Sequence, residues 1–232
     1  MSQDLPIGPP VDPTPAPRPE RRVFDGAHVR LEPLASAHAD DLFAAVAQPA
    51  DAGLWTYMGD GPFAARADFE RNIAAKSASP DPLFYALIDK ASGRALGHTA
   101  LMRIDAPNRA VEIGNIMYGR ALQRTPAATE AVFLLASHVF DELGYRRFEW
   151  KCNELNAPSK RAALRYGFAY EGVFRQHMIV KGRNRDTAWF AMLDSEWPTR
   201  RAAFETWLAP GNFDANGAQR TSLGELMGAG GL

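Results

Sequence analysis

The stretch best suited to chemistry works through its backbone: Ala121-Leu-Gln-Arg-Thr-Pro-Ala-Ala-Thr-Glu-Ala131, which runs from the end of a strand into a long helix. Thr125 is a good N-cap, and Pro126 suits the first helical position, where its missing N–H costs nothing. A helix that begins just past a strand leaves several N–H groups unpaired and adds the positive end of its dipole. An anion such as pyrophosphate is the natural guest, although a well-capped helix start that binds nothing is the alternative. A second candidate is the basic cluster Lys181, Arg183 and Arg185 with Asp186. It reads either as a solvated hairpin tip or as a contact for an acidic substrate or partner.

The elements that must hold these residues follow from composition and pattern. With 232 residues, 46% of them hydrophobic, the chain can bury a full core as one domain with tails. A formal net charge of -1 argues against nucleic-acid binding by bulk electrostatics. The single cysteine, Cys152, excludes an intramolecular disulfide and a cysteine-built zinc site, and no metal is expected. No run approaches the ~18 apolar residues of a membrane helix, and the N-terminus lacks a charged-then-apolar leader. A soluble, cytoplasmic protein without membrane contact is expected.

Residues 1–22 hold seven prolines and few large apolar groups, which predicts a disordered or polyproline-like lead. Val29, Leu31 and Leu34 make a short strand, and Ser36 is expected to cap a helix carrying Leu42, Phe43 and Val46. The loop from Gln48 to Gly61 contains Trp55, Tyr57 and Met58, core plugs or one wall of a substrate pocket. A helix from about Pro62 to Ala78 follows. Leu83 to Asp89, Leu96 to Ile104 and Val111 to Tyr118 are strands joined by turns too short for parallel pairing. The helix from Pro126 to Leu143 is a crossover, so the strand Arg146 to Cys152 pairs parallel with the strand before it. Asn156 caps another helix that ends near Gly167. A hairpin over Tyr170 to Leu193 and a helix from Pro198 to Leu208 complete a domain over 23–210. The tail over 211–232, rich in glycine and polar residues, is expected to be flexible. The class is α/β (α+β): a mixed, mostly antiparallel sheet flanked by helices, with one parallel pair.

This order of elements resembles the GNAT acyltransferases. Gln123-Arg124-Thr125-Pro126-Ala127-Ala128 matches the family loop Gln/Arg-x-x-Gly-x-Gly/Ala at its first and last positions, with Pro126 in place of the central glycine. Asn156-x-x-Ser159 with Gly167-Phe168 and Glu171-Gly172 resembles the branch that includes the ribosomal-protein N-terminal acetyltransferases. The resemblance covers roughly Arg22 to Trp197. It implies acetyl-CoA as co-substrate, held by amides around Arg124, Thr125, Ala127, Ala128 and Thr129, by Gln123 and Asn156, and by backbone near Ile116, Met117 and Tyr118. It implies that Ser159 protonates the departing thiolate, though a serine tied to Asn156 is the structural alternative. The tyrosine that many relatives use one turn later is Ala163 here, and the relatives' glutamate base falls at Met178.

For the base, three options stand. His177 serves only if a bulge re-aims it, Glu112 is a carboxylate on the strand before the loop, and water relays need no dedicated base. Cys152, a strand cysteine beside the implied thioester, reads as an acyl-enzyme nucleophile or, more simply, as a small buried hydrophobe. The function implied is an N-acetyltransferase acting on a primary amine of a peptide or small metabolite. Transfer of a larger acyl group such as succinyl, and a non-catalytic CoA-binding module, are the alternatives. Relatives often form dimers, so a homodimer is a further expectation.

Overall fold

The structure, a computed structural model, describes residues 5–228. Strands β1 (Phe24–Asp25) and β2 (Val29–Pro33) open the domain. Val29 and Leu31 are buried while Arg30 faces out, the alternation of a half-covered sheet. Helix α1 (Ala39–Val46) buries Ala39, Leu42 and Val46, one helical face. The expected loop after it is partly a 3₁₀ helix, Pro49–Trp55. That turn drives Trp55 into the core, where its indole N–H donates to the Val46 carbonyl at 2.7 Å. Tyr57 and Met58 stay half-buried.

Helix α2 (Arg66–Ala78) starts four residues after the expected Pro62. Gly61, at φ 57°, turns the chain there, and Phe63 packs edge-on against both Trp55 and Phe69 before the helix begins. Strands β3 (Leu83–Asp89), β4 (Arg94–Asp105) and β5 (Ala110–Tyr118) form the expected meander. Helix α3 (Pro126–Ser137) continues as a π-helical segment, His138–Glu142. Then come β6 (Arg147–Asn153), α4 (Ala157–Arg165), β7 (Ala169–Val180), β8 (Arg183–Leu193), α5 (Trp197–Leu208) and the short α6 (Leu223–Leu226). The β7–β8 turn is only Lys181-Gly182, both at positive φ as a two-residue hairpin turn requires. The strands therefore run further toward the tip than the sequence pattern indicates.

The eight strands lie in the order β1-β2-β3-β4-β5-β6-β8-β7. Every neighbouring pair is antiparallel except β5 and β6, which the α3 crossover makes parallel. One core cluster joins the sheet to α3 and α5 through Leu135, Val139, Phe148 and Phe204, and a second joins β3 and β4 to α1 and α2 through Leu42, Phe69 and Phe84.

Both ends expected to be loose are anchored at a few points, while most of their residues stay exposed. The proline-rich lead forms no helix or strand, yet Ala16 and Pro19 are buried and the Ala16 N–H donates to the Ala106 carbonyl at 3.0 Å. Arg109 grips the Thr14 carbonyl and Asp12, and Tyr85 donates to the Glu20 carbonyl. Prolines limit the backbone freedom lost on docking and carry no N–H to satisfy, so a few such anchors suffice. In the tail, Leu223 and Met227 are buried and Ser222 with Glu225 closes a capping box, two apolar anchors hidden in a polar composition. Residues 1–4 and 229–232 of those two expectations lie outside the described residues.

Candidate active site

Strands β5 and β6 pair only from Ala110 and Arg147 to Glu112 and Glu149, although β5 continues to Tyr118 and β6 to Asn153. The cause lies in β5. Its register with β4 jumps from Ala100 and Gly114 to His98 and Met117, so Asn115 and Ile116 together oppose Thr99. Asn115 takes φ 49° to make this bulge, and the Thr99 hydroxyl donates to the Gly114 carbonyl at 3.3 Å. A bulge bends its strand and peels it from its neighbour, which opens a split between β5 and β6. Along it, Met117 is buried toward α1 and α2, whereas Ile116 and Tyr118 are half-buried against the α3 core. The buried Tyr118 hydroxyl has no partner among the described residues, and burial pushes its pKa well up.

The turn into α3 stands at the end of this split. Arg124 adopts φ 63°, and Gln123 folds back so that its side-chain amide donates to the Tyr118 carbonyl at 2.8 Å. The Thr125 hydroxyl accepts from the Ala128 N–H at 3.2 Å and donates to the Leu122 carbonyl at 2.7 Å. The Thr129 N–H is taken by the Thr125 carbonyl. Two of the five amides expected to grip phosphate are thus used within the turn. Those of Arg124, Thr125 and Ala127 have no partner among the described residues. Pro126 occupies the first helical position, so its missing N–H removes a donor the helix could not have used itself. Three free amides at a helix start, an unpaired strand edge and a partnerless phenol fit the phosphates and amide-rich arm of a CoA thioester.

Across the split, Asn156 Oδ1 accepts from the Ser159 N–H at 3.2 Å, so Asn156 caps α4. Ser159 Oγ accepts from the Trp150 indole at 3.0 Å. With the indole on one lone pair, the serine keeps its own hydrogen to give. Cys152 is buried and its thiol is pushed up by burial, the state of a small hydrophobe rather than a nucleophile. Ala163 is fully buried. Tyr166, whose phenol burial also pushes up, lies beside Thr129 and Arg165.

The opposite face of the sheet is charged. Glu112 is side-chain buried and committed to Arg103 at 2.6 Å and Lys151 at 3.0 Å. Lys151 also meets Glu149 and lies 4.0 Å from the Trp189 ring centre, and Arg147 bridges Glu149 to Glu171. His177 sits on a bulge in β7, where pairing moves from Phe174 with Thr187 to Met178 with Arg185 and Gln176 takes φ 51°. Its Nδ1 is 2.9 Å from Thr187 Oγ1, which also accepts from Arg185 Nε at 3.2 Å. A bulge therefore precedes His177, and the exposed ring lies against Thr187. Phe174 packs on Trp189 at 4.4 Å between ring centres. Tyr57 donates to the Leu155 carbonyl and Lys181 to the Trp55 carbonyl, tying the end of the 3₁₀ helix and the loop after it to the β6–α4 turn and to the hairpin tip.

Sequence reasoning missed one cluster on this side. Lys76 is 2.8 Å from Asp60 and 3.5 Å from His98 Nε2. His98 is fully buried, which pushes its pKa down to about 3, and burial lowers Lys76 as well. Residues so far apart in the chain carry no spacing signal. Two concavities, about 350 Å³ beside Trp55 and about 650 Å³ beside Gln176 and Asp186, are lined by neither β5 nor β6.

A profile of the acetyltransferase (GNAT) domain matches residues 28–169. The chain belongs to the GNAT acetyltransferase family. It is similar to a crystal structure of a GCN5-related N-acetyltransferase from Brucella melitensis, at 55% identity over 93% of this chain and 98% of that one, with a TM-score of 0.91. An uncharacterized N-acetyltransferase, p20, of Bacillus licheniformis is 31% identical over 49% of this chain, and the match spans 63% of that protein's length. YdaF of Bacillus subtilis (strain 168), whose name describes a ribosomal N-acetyltransferase, is 26% identical over 62% of this chain and 79% of its own length. Among the described residues, no group of His, Cys, Asp or Glu could hold a metal ion, and no helix is long and apolar enough to cross a membrane.

Proposed function

We propose that this GNAT protein transfers the acetyl group of acetyl-CoA to a primary amine of a small metabolite or a peptide N-terminus. The observation that carries the reading is the split between β5 and β6 running up to three free amides at the start of α3. The pyrophosphate rests on the Arg124, Thr125 and Ala127 amides. The pantetheine arm lies along the open edge of β5 as an added strand, and β5 amides near Ile116 polarise the thioester carbonyl. The amine enters from the face bearing His177.

Attack forms the C–N bond and places negative charge on the carbonyl oxygen, and collapse breaks the C–S bond. Ser159 gives its hydrogen to the departing sulfur. His177 takes the proton from nitrogen in the tautomer whose Nδ1–H donates to Thr187 Oγ1, since this leaves Nε2 bare. Thr187 can accept that bond together with the one from Arg185, one on each lone pair. Glu112 holds the sheet face together through Arg103 and Lys151 rather than serving as the base. The name of YdaF, a ribosomal N-acetyltransferase, supports a component of the ribosome as one acceptor class.

Ser159→Ala tests the assignment. Loss of a positioned proton donor is worth about 10²- to 10⁴-fold in kcat, while acetyl-CoA affinity measured by calorimetry holds. An unchanged kcat refutes the role of Ser159, and absence of CoA binding refutes the site.

A further inference from the structure

On the charged face beside the split, Arg103, Arg147 and Lys151 share three carboxylates, Glu112, Glu149 and Glu171, and Arg185 stands on the strand β8 next to β6. The first three cations are each paired with a carboxylate at 3.0 Å or less. Arg185 is not. Its Nε donates to Thr187, and its two terminal nitrogens have no hydrogen-bond or ion-pair partner among the described residues. The guanidinium is half-buried, and burial lowers its pKa. A partly desolvated cation with an unfilled fork is suited to a planar anion held by two parallel bonds, which is carboxylate geometry.

Where that anion would sit follows from Thr187. One hydroxyl contacts both Arg185 Nε and His177 Nδ1, at 3.2 and 2.9 Å. A molecule whose amine is at His177 and whose acid group is at Arg185 therefore needs the two only a few atoms apart. Phe174 and Trp189, packed at a tilt beside His177, supply an apolar wall for the remainder of such a molecule. Asp186, the next residue along, does not fill the fork. It is used by the Gln176 N–H and the Asn184 side chain in holding the β7 bulge.

We infer that Arg185 selects acceptors carrying a carboxylate close to the reacting amine, so that the amine substrate is of amino-acid type. This rests on the acyl-transfer reading above and narrows it: a peptide N-terminus lacks an acid group at that distance unless its first side chains supply one. No new chemical step is involved. The carboxylate is bound unchanged while the amine is acylated.

The test is thiol release from acetyl-CoA with the twenty L-amino acids and with the matching amino acid amides, for the wild type, Arg185→Met and Arg185→Lys. The wild type is expected to prefer the best acid over its amide by roughly 10- to 100-fold in kcat/KM, the worth of a charged hydrogen-bonded contact. Arg185→Met is expected to erase that preference by lowering the acid alone, with Arg185→Lys in between. Equal rates for acids and amides in the wild type overturn the inference, whatever the variants do. So does an equal loss on both acceptors in a folded Arg185→Met protein, or a carboxylate preference that appears only when succinyl-CoA replaces acetyl-CoA as donor. Calorimetric titration of the same acids and amides reads Arg185 without turnover. Acid-selective binding lost in Arg185→Met, in a protein that releases no thiol with any amine, upholds Arg185 and refutes the acyl-transfer reading instead. Binding that does not discriminate acid from amide overturns the inference.

Discussion

Replacing Glu112 with glutamine separates a base from a structural ion pair, because the two roles put the damage in different measurements. The Glu112 side chain is 3% exposed and its partner Lys151 is 4% exposed. Removing one member of a buried pair costs about 3–5 kcal/mol, most of it the penalty of leaving the other charge behind. Here Lys151 keeps Glu149 at 2.5 Å, and Arg103, 43% exposed, can rehydrate. The loss is therefore expected near the lower end, about 3 kcal/mol. At the usual ~1–3 kcal/mol per molar urea, that lowers the unfolding midpoint by about 1 M or more. For the enzyme still folded in buffer, kcat/KM stays within a few-fold of wild type, and its fall at low pH is unchanged. If Glu112 were instead the base, kcat/KM would drop by about 10²- to 10⁴-fold with the acid limb abolished. A variant with wild-type stability and a hundredfold loss of kcat/KM would refute the structural assignment.

Other outcomes follow from the same packing. Cys152→Ala should keep kcat within a few-fold and give no burst of acyl-enzyme, since the buried thiol is pushed away from the thiolate; trapping a thioester on Cys152 by mass spectrometry would contradict this. His98, at about 3 in the fold against about 6.5 when unfolded, lets the unfolded chain bind an extra proton between those values. Its contribution is complete above pH ~6.5 and is lost as pH falls toward 3, with a slope of up to about 1.4 kcal/mol per pH unit. Denaturant unfolding of wild type and His98→Gln at pH 7, 5.5 and 4.5 should show the variant less pH-sensitive, and equal slopes would refute the claim. Gly167→Ala should lower the thermal midpoint. At φ 85° an alanine is strained by about 1–2 kcal/mol, and its Cβ would come within 2.9 Å of Arg200 Cδ and Met227 Sδ. An unchanged midpoint would refute the tight packing of Arg200 and Met227 on this turn and its strain at positive φ.

Much of this was legible in the chain. The meander, the crossover helix and the parallel pair follow from turn lengths and the spacing of apolar residues, and Thr125 and Asn156 cap their helices as their residue types indicate. What escaped depends on long-range contacts. The lead and tail are held at a few anchors, Ala16, Leu223 and Met227, in segments whose composition reads as loose. The bulges at Asn115 and Gln176 follow from no local pattern in the sequence, although asparagine tolerates the positive φ it takes, yet they open the split and bring the His177 ring onto Thr187. Glu112 sits as strand periodicity places it, but its partners come from β4 and β6. Arg185 is legible as a basic residue near a hairpin tip; its unfilled fork appears only once Thr187, Glu112 and Arg103 are in place.

Thiol release from acetyl-CoA by the wild-type protein, followed continuously while primary amines are added one at a time, tests the acyltransferase reading most directly. The account predicts release that saturates with at least one amine, is strictly dependent on it, and yields the N-acetyl product in equal amount. CoA bound in the split with no amine-dependent release across amino acids, amides and N-terminal peptides would contradict it.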